Sequence, residues 1–170
     1  MGHADQGVLG GGDRYQLIPR TLSFVTSGKE VLLLRGAPEK RLWGGKYNGV
    51  GGHVERDEDI KAAARREILE ETGLEVRDLR LCGVIHVDAG EQAGVGVFVF
   101  RGEAVSRDFR PSREGELIWT EAERALTLEL VPDLPVLLPK VLEPSAGSEP
   151  FFARYYYDDQ DRLVISFIQE

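Results

Sequence analysis

The sequence predicts one α/β domain in which helices cover a mixed β-sheet. Segments whose apolar residues alternate or run together, as in strands, outnumber the segments with helical spacing. Two or three helices then remain to cover the sheet, which indicates a layered α/β arrangement. A length of 170 residues fits a single domain.

The N-terminal part of this domain is predicted to be a hairpin followed by a loop. Residues 16–27 and 31–36 have the apolar character of strands and are joined by a turn. Residues 37–49 are rich in glycine and basic residues, which predicts a loop. Residues 50–55 are expected to return to strand.

A helix is predicted from Asp57 to Thr72, because apolar residues recur there at helical spacing. Either Asp57 or Asp59 can cap its start, and both place negative charge at the positive end of the helix dipole. Gly73 follows, where a C′ glycine would end the helix. The remaining predicted elements are strands over 76–88, 94–104 and 115–121, helices over 121–126 and 133–143, and a hairpin over 151–167.

The composition favours a cytoplasmic globular protein without a nucleic-acid partner. The formal net charge is −8, whereas binding to a duplex needs clustered Lys and Arg. A single cysteine, Cys82, allows no internal disulfide, and no apolar run reaches the ~18 residues that a transmembrane helix needs. Residues 1–14 lack the order of a secretory signal and are expected to form a flexible lead to a domain over 15–170.

The segment between Glu55 and Glu71 holds seven acidic and four basic residues. On the predicted helix, Glu67, Glu70 and Glu71 stand at i, i+3 and i+4, so their side chains project from one side. Carboxylates brought together raise one another's pKa unless a cation lies between them, and Mg²⁺ prefers such oxygen ligands. The other interpretation is a solvated helix with many ion pairs, since Arg66 and Glu70 form an i, i+4 pair.

A longer pattern surrounds these acids. Gly52 is followed by five residues, Glu58, seven more residues and then the run from Arg66 to Leu74, "REILEETGL". Nine specified positions match over 23 residues, and the segment resembles the signature of the Nudix hydrolase family. The resemblance implies a Nudix-type α/β/α sandwich with a mixed sheet. It also implies divalent metals and attack by water on a phosphorus of a diphosphate linked to another group.

The resemblance assigns roles within the signature. Glu70 and Glu71 are the main metal ligands, and the Gly51 carbonyl is a further candidate ligand. Glu67 either ligates a metal or acts as the base. The implied cofactor is Mg²⁺, with Mn²⁺ as a substitute. The residues expected to support the site structurally are Gly52, Glu58, Arg66 and Gly73.

The segments on either side of the signature are similar to the MutT-like branch, which includes the 8-oxo-dGTP diphosphatases. This similarity makes Asn48 a candidate for reading the base, since an amide offers both a donor and an acceptor. Asn48 also precedes Gly49, and Asn-Gly is a common turn pair. Asp133 is a second candidate base contact.

The same similarity places a further acidic residue near the metals, at Glu114. Glu116 is the other candidate, because alternate residues of a strand share a face. His53 and Lys46 are candidate contacts for the substrate's phosphates. The other cations expected near the phosphate tail are Arg35, Lys40 and Arg41.

Three functions remain open from the sequence. The first is a Mg²⁺-dependent nucleoside triphosphate pyrophosphohydrolase, with oxidised purine nucleotides such as 8-oxo-dGTP as one substrate class. The second keeps the enzyme but takes ADP-ribose, a nucleotide sugar or a dinucleoside polyphosphate. The third is a non-catalytic nucleotide-binding module. The expected partner is a small nucleotide, with neither nucleic acid nor membrane, and the expected state is a monomer or homodimer.

Overall fold

The computed structural model describes residues 14–39, 43–143 and 149–168. The predicted lead over residues 1–14 lies outside this range except for Arg14, as do Lys40 and Arg41. The strands are β1 (Gln16–Ser27), β2 (Glu30–Gly36), β3 (Tyr47–Asn48), β4 (Val76–Asp88), β5 (Ala93–Ala104), β6 (Gly115–Glu121), β7 (Phe151–Tyr157) and β8 (Leu163–Phe167). The helices are α1 (Ile60–Thr72), α2 (Ala122–Ala125) and α3 (Leu134–Leu142).

The sheet is mixed, as predicted. Its strands follow the order β3-β2-β1-β5-β4-β7-β8, and β6 pairs with β2 outside this path. The pairs β1–β5 and β4–β7 are parallel, while the other strand pairs of the described chain are antiparallel. β2 pairs with β1 near its start and with β3 near its end, so β1 and β2 diverge along their length.

The predicted strand over residues 50–55 is wrong. The segment makes only isolated bridges to β1, at Val50 and His53. Backbone hydrogen bonds join Ser23 and Val50, at 2.7 and 3.0 Å, and Thr21 N–H donates to the Gly52 carbonyl at 2.8 Å. Between these contacts the Gly51 amide turns towards α1, so a regular ladder cannot form. The result is a loop held in the gap where β1 and β2 diverge.

Side-chain alternation along the strands produces two separate cores. Phe24 and Val25 are neighbours on β1, yet they are buried in different clusters on opposite faces of the sheet. Ala64 and Ile68 of α1 pack into the cluster with Val25. Residues of α3 pack into the cluster with Phe24: Leu134, Leu137, Leu138 and Val141. Helices therefore cover both faces of the sheet, and the α/β/α sandwich is confirmed.

Helix α1 begins at Ile60, three residues after the predicted start at Asp57. Asp59 is the capping residue, because its carboxylate accepts from the amides of Lys61 and Ala62 at 2.8 and 2.9 Å. Asp57 lies in a preceding turn, where Glu58 accepts from the Glu55 amide. This turn satisfies the local donors without helix. The C-terminal end of α1 agrees with the prediction. Gly73 has φ 74°, and its amide donates to the Leu69 carbonyl.

Arg101 of β5 closes the C-terminal end of α3. Its guanidinium donates to the carbonyls of Val141, Leu142 and Glu143 at 3.4, 3.1 and 3.1 Å. These are carbonyls of the kind that a helix end leaves without intrahelical donors. Burial lowers the pKa of Arg101, which shows that its charge lies in a partly dehydrated setting. In the described part of the chain, no helix is long and apolar enough to cross a membrane.

We predict that Arg101→Gln costs about 1–3 kcal/mol of unfolding free energy, because the α3 carbonyls lose their donor in a partly buried place. Urea unfolding monitored by circular dichroism measures this loss. Arg77→Gln is the control, since Arg77 makes only an exposed pair with Glu103 and should leave the midpoint unchanged. Equal midpoints for the two variants would contradict the role assigned to Arg101.

Candidate active site

The three signature acids of α1 line one wall of an open cleft of about 460 Å³. Glu67, Glu70 and Glu71 project from the same side of the helix, as their spacing predicts. The opposite wall is the loop before β6, with Arg110, Pro111, Ser112, Arg113 and Glu114. The structure therefore brings Glu114 together with the signature acids, although the two segments are far apart in sequence.

Two glycines let the loop before α1 approach these acids. The Gly51 amide donates to Glu71 Oε2 at 3.2 Å. A Cβ added at Gly52 would lie 2.5 Å from Glu67 Oε1, so only glycine leaves that carboxylate its position. A Cβ at Gly51 would lie 2.1 Å from the Thr21 carbonyl oxygen of β1. Gly51 is thus pressed against the sheet, and Gly52 against the acidic face of the helix.

Arg66 ties this loop to the acidic face. Its guanidinium contacts Glu58 at 2.6 and 3.0 Å and donates to the His53 carbonyl at 3.0 Å. It also reaches Glu67 at 2.8 Å and Glu70 at 3.2 Å. Arg66 therefore makes both the contact expected for a metal site with a braced loop and the contact expected for a solvated helix with ion pairs. It braces the loop through Glu58, and it forms the i, i+4 pair with Glu70 that a solvated helix would show.

The Arg66–Glu58 contact shifts the pKa of both side chains. The hydrogen bonds from Arg66, followed by the bond from the Glu55 amide, lower the pKa of Glu58 below its ordinary value. The hydrogen bond to Glu58 raises the pKa of Arg66, so its positive charge is permanent. The pair therefore remains charged at neutral pH.

The donor set fits a divalent cation in its chemistry, because carboxylate oxygens are the ligands that hard cations prefer. In the arrangement seen, however, Arg66 holds Glu67 and Glu70, while the Gly51 amide contacts Glu71. Consequently no three acidic, cysteine or histidine side chains of the described residues already surround a common centre. Binding of a cation requires these carboxylates to turn. Glu70, whose side chain is 59% exposed, has the most room to do so.

Glu114 and Glu116 do not share a face, contrary to the reasoning from strand alternation. β6 begins only at Gly115, so Glu114 belongs to the loop and lies in the cleft. Leu117 packs into the core on the α1 side, which directs its neighbour Glu116 to the opposite face. Glu114 is therefore the acid that faces the signature, and Glu116 is not among the residues of the cleft.

Asn48 and Asp133 belong to two segments that are joined through their backbones. β3 is tied to the segment before α3 by bonds from the Tyr47 amide to the Glu129 carbonyl and from the Val131 amide to the Tyr47 carbonyl. The Asn48 Oδ1 accepts from the Gly49 amide at 2.8 Å, as in a local turn. Both base-contact assignments stay predictions.

Asp133 precedes α3 without capping it by a side-chain hydrogen bond. Burial raises the pKa of this carboxyl group. The same surroundings contain Tyr155 of β7, whose hydroxyl is buried without a hydrogen-bond partner in the described chain. Burial raises the pKa of Tyr155, and the charge of Asp133 raises it further. A partly buried acid and a buried phenol therefore lie within electrostatic reach of each other.

The other predicted phosphate contacts lie elsewhere. Lys46 and Arg35 line a second cleft of about 430 Å³, with residues 44–45, 128–132 and Pro135, and not the acidic cleft. They also lie over aromatic rings: Lys46 over Trp43 and Arg35 over Tyr47. His53 is next to the signature, but its Nε2 accepts a hydrogen bond from Arg20 at 3.2 Å.

Sequence reasoning missed three residues of these sites. Arg110 and Arg113 share the acidic cleft, and Tyr155 lies by Asp133. For Tyr155, the alternation of "FFARYYY" indicates an inward-facing ring but not its neighbour. For the two arginines, the only signal is their closeness to Glu114 in the chain.

We predict opposite outcomes for two adjacent glycine substitutions. Gly51→Ala places a Cβ against the backbone of β1 and should cost about 1–3 kcal/mol of stability. Gly52→Ala meets only the movable end of Glu67, so it should spare stability and instead reduce catalytic activity by displacing that carboxylate. Thermal unfolding and turnover of both variants separate the effects. Similar stability of the two proteins would contradict the difference.

We predict a pH-dependent stability from Glu58. Because its pKa is lower in the folded state, its contribution is present above the ordinary value of 4.5 and is lost as the pH falls through the folded value. Glu58→Gln should therefore be less stable than the wild type at neutral pH, and the difference should close on acidification. Urea midpoints measured across this range test the effect. A constant difference at all pH values would contradict it.

A comparison with known families and proteins agrees with this geometry. The model of the NUDIX domain matches residues 17–141. An oxidized purine nucleoside triphosphate hydrolase from Danio rerio is 33% identical over 145 residues, covering 85% of this chain and 89% of that protein. The protein of the same name from Mus musculus is 29% identical over 151 residues, covering 88% and 93%.

The fold also matches solved structures. A MutT protein from Bacillus halodurans superposes with a TM-score of 0.71 at 24% identity, covering 91% of this chain and 99% of that one. Nudix enzymes are hydrolases that use divalent metals and act on small nucleotide substrates. The domain match spans most of the chain and includes the loop, helix α1 and the acidic cleft. This chain belongs to the Nudix family of hydrolases.

Proposed function

We propose that the chain is a nucleoside triphosphate pyrophosphohydrolase that requires Mg²⁺, or Mn²⁺ as a substitute. It converts a nucleoside triphosphate into a monophosphate and pyrophosphate, with residues 15–170 acting as one domain. The observation that carries the proposal is the cleft in which the three signature acids of α1 face Glu114. Carboxylates on both walls of this cleft can hold a divalent cation against the phosphates of a substrate.

The proposed ligands of the cation are Glu70, Glu71 and the Gly51 carbonyl. When bound, a divalent cation lowers the pKa of water and offsets the charge that grows on phosphoryl oxygens. Glu67 is 14% exposed and is held by Arg66, so it has a defined position for accepting a proton or assisting as a ligand. Glu114 supplies the fourth carboxylate from the facing wall.

The proposed base site consists of Asn48 and Asp133, whose segments are joined by the backbone hydrogen bonds of Tyr47. An amide and a carboxyl group can both read the polar edge of a purine. The names of the Danio rerio and Mus musculus relatives support an oxidised purine as the preferred base. Tyr155 adds a buried hydroxyl beside Asp133.

A substrate panel tests the proposal. Nucleoside triphosphates with normal and oxidised purines, ADP-ribose, a nucleotide sugar and a dinucleoside polyphosphate are incubated with Mg²⁺, and pyrophosphate is measured separately from orthophosphate. Pyrophosphate from a triphosphate is expected, and a chelator should abolish it. If only ADP-ribose, the nucleotide sugar or the dinucleoside polyphosphate is hydrolysed, the chain is instead a hydrolase of those substrates. Nucleotide binding without any hydrolysis would replace it by the binding module.

We predict that Glu70→Gln and Glu71→Gln each lower kcat at least about 100-fold, a loss of about 2.7 kcal/mol in transition-state stabilisation. The reason is that an amide removes the charge that holds the cation. Glu123→Gln is a control on α2, outside the cleft, and should retain full turnover. Unchanged turnover in both cleft variants would overturn the assignment of the site.

A further inference from the structure

The loop that faces the signature acids carries two arginines as well as Glu114. Arg110 and Arg113 line the cleft with four carboxylates, those of Glu114 and the three signature acids. The carboxylates suit a cation, but a substrate with several phosphates brings more negative charge than one divalent ion offsets. Guanidinium groups are the side chains best suited to bind phosphate directly, because their planar donors match its oxygens.

Arg110 is already used to hold the loop against α1. Its amide donates to the Thr72 carbonyl at 2.7 Å, and its Nη2 lies 3.5 Å from the Leu69 carbonyl. Its side chain covers Gly73, where an added Cβ would lie 2.2 Å from Nε. These contacts satisfy the carbonyls at the end of the helix. Arg110 therefore positions the wall of the cleft.

Arg113, in contrast, does not hold the loop against α1. Across residues 14–39, 43–143 and 149–168, its side chain makes no ion pair or hydrogen bond, although carboxylates line the same cleft. The backbone around it is nevertheless held. The Glu114 amide donates to the Ser112 hydroxyl at 3.1 Å, and the Glu114 carbonyl accepts from Ala37 at 3.1 Å. An exposed guanidinium on an anchored backbone therefore lines the cleft.

We propose that Arg113 binds the terminal phosphate of the substrate's polyphosphate tail. This inference rests on the proposed function and narrows its substrate class. A triphosphate ends in a free phosphate that carries more charge and more unshared oxygens than a phosphate esterified on both sides. In ADP-ribose or a nucleotide sugar, a sugar caps the diphosphate and removes that end. Arg113 therefore favours substrates with a free polyphosphate end over capped diphosphates.

The test compares Arg113→Gln and Arg113→Lys with Arg124→Gln. Arg124 is an exposed arginine of α2 outside the cleft, so its loss changes net charge by the same amount. Calorimetry with Mg²⁺ measures Kd for three probes: a nucleoside triphosphate with a non-hydrolysable α,β-imido bridge, inorganic tripolyphosphate and ADP-ribose. Circular dichroism verifies that each variant is folded.

We predict that Arg113→Gln raises Kd for the triphosphate analogue and for tripolyphosphate about tenfold, as expected for one charged hydrogen-bonded contact. The Kd for ADP-ribose should stay within about twofold of the wild type. Arg113→Lys should recover part of the affinity, since it keeps the charge but loses the planar fork. With a hydrolysable triphosphate, KM should rise more than kcat falls.

Each other outcome decides against the inference. Equal Kd values for Arg113→Gln and Arg124→Gln would show that Arg113 contributes only general charge. Equal weakening for triphosphate and ADP-ribose would show that it does not read the free end. These results leave the proposed function intact whenever the wild type still releases pyrophosphate from triphosphates. If the wild-type protein hydrolyses no triphosphate in the substrate panel, both the proposed function and this inference are overturned.

Discussion

The site depends on the multiple contacts of one guanidinium. Arg66 joins Glu58 and the His53 carbonyl, on the loop side, to Glu67 and Glu70 on the helix. Without a permanent cation at this point, the like-charged carboxylates would repel one another and the loop would lack an anchor. The same contacts partly neutralise the acids. Arg66 thus makes an otherwise unfavourable cluster compatible with a stable fold.

The sandwich supplies the second constraint on the site. β1 contributes side chains to both cores, and it also holds the glycine loop through Thr21 and Ser23. The loop can occupy this place only because β1 and β2 diverge. The acidic cleft opens beside α1, whereas Asp133 lies at the start of α3.

The periodicity of the sequence was sufficient to predict the strands, the sandwich and the common face of Glu67, Glu70 and Glu71, because these features follow from local patterns. Contacts between distant segments were not predictable in this way. The expected strand over 50–55 fails since its pairing depends on how far β1 and β2 separate. Similarity to the family pointed to Glu114, yet strand alternation misjudged Glu116 because Glu114 lies in the loop before β6 and not in the strand. Arg113 has no motif, so only the folded loop shows its place.

The wall opposite α1 is fixed at both of its ends. Arg110 bonds to Thr72 at the end of the helix, and Glu114 bonds to Ala37 after β2. A wall restrained in this way has few conformations to lose when a ligand enters the cleft. Association therefore carries a small cost in conformational entropy on this side, and most ordering falls on the side chains that must turn. In thermodynamic terms, the cleft is preorganised in its backbone and adaptable in its carboxylates.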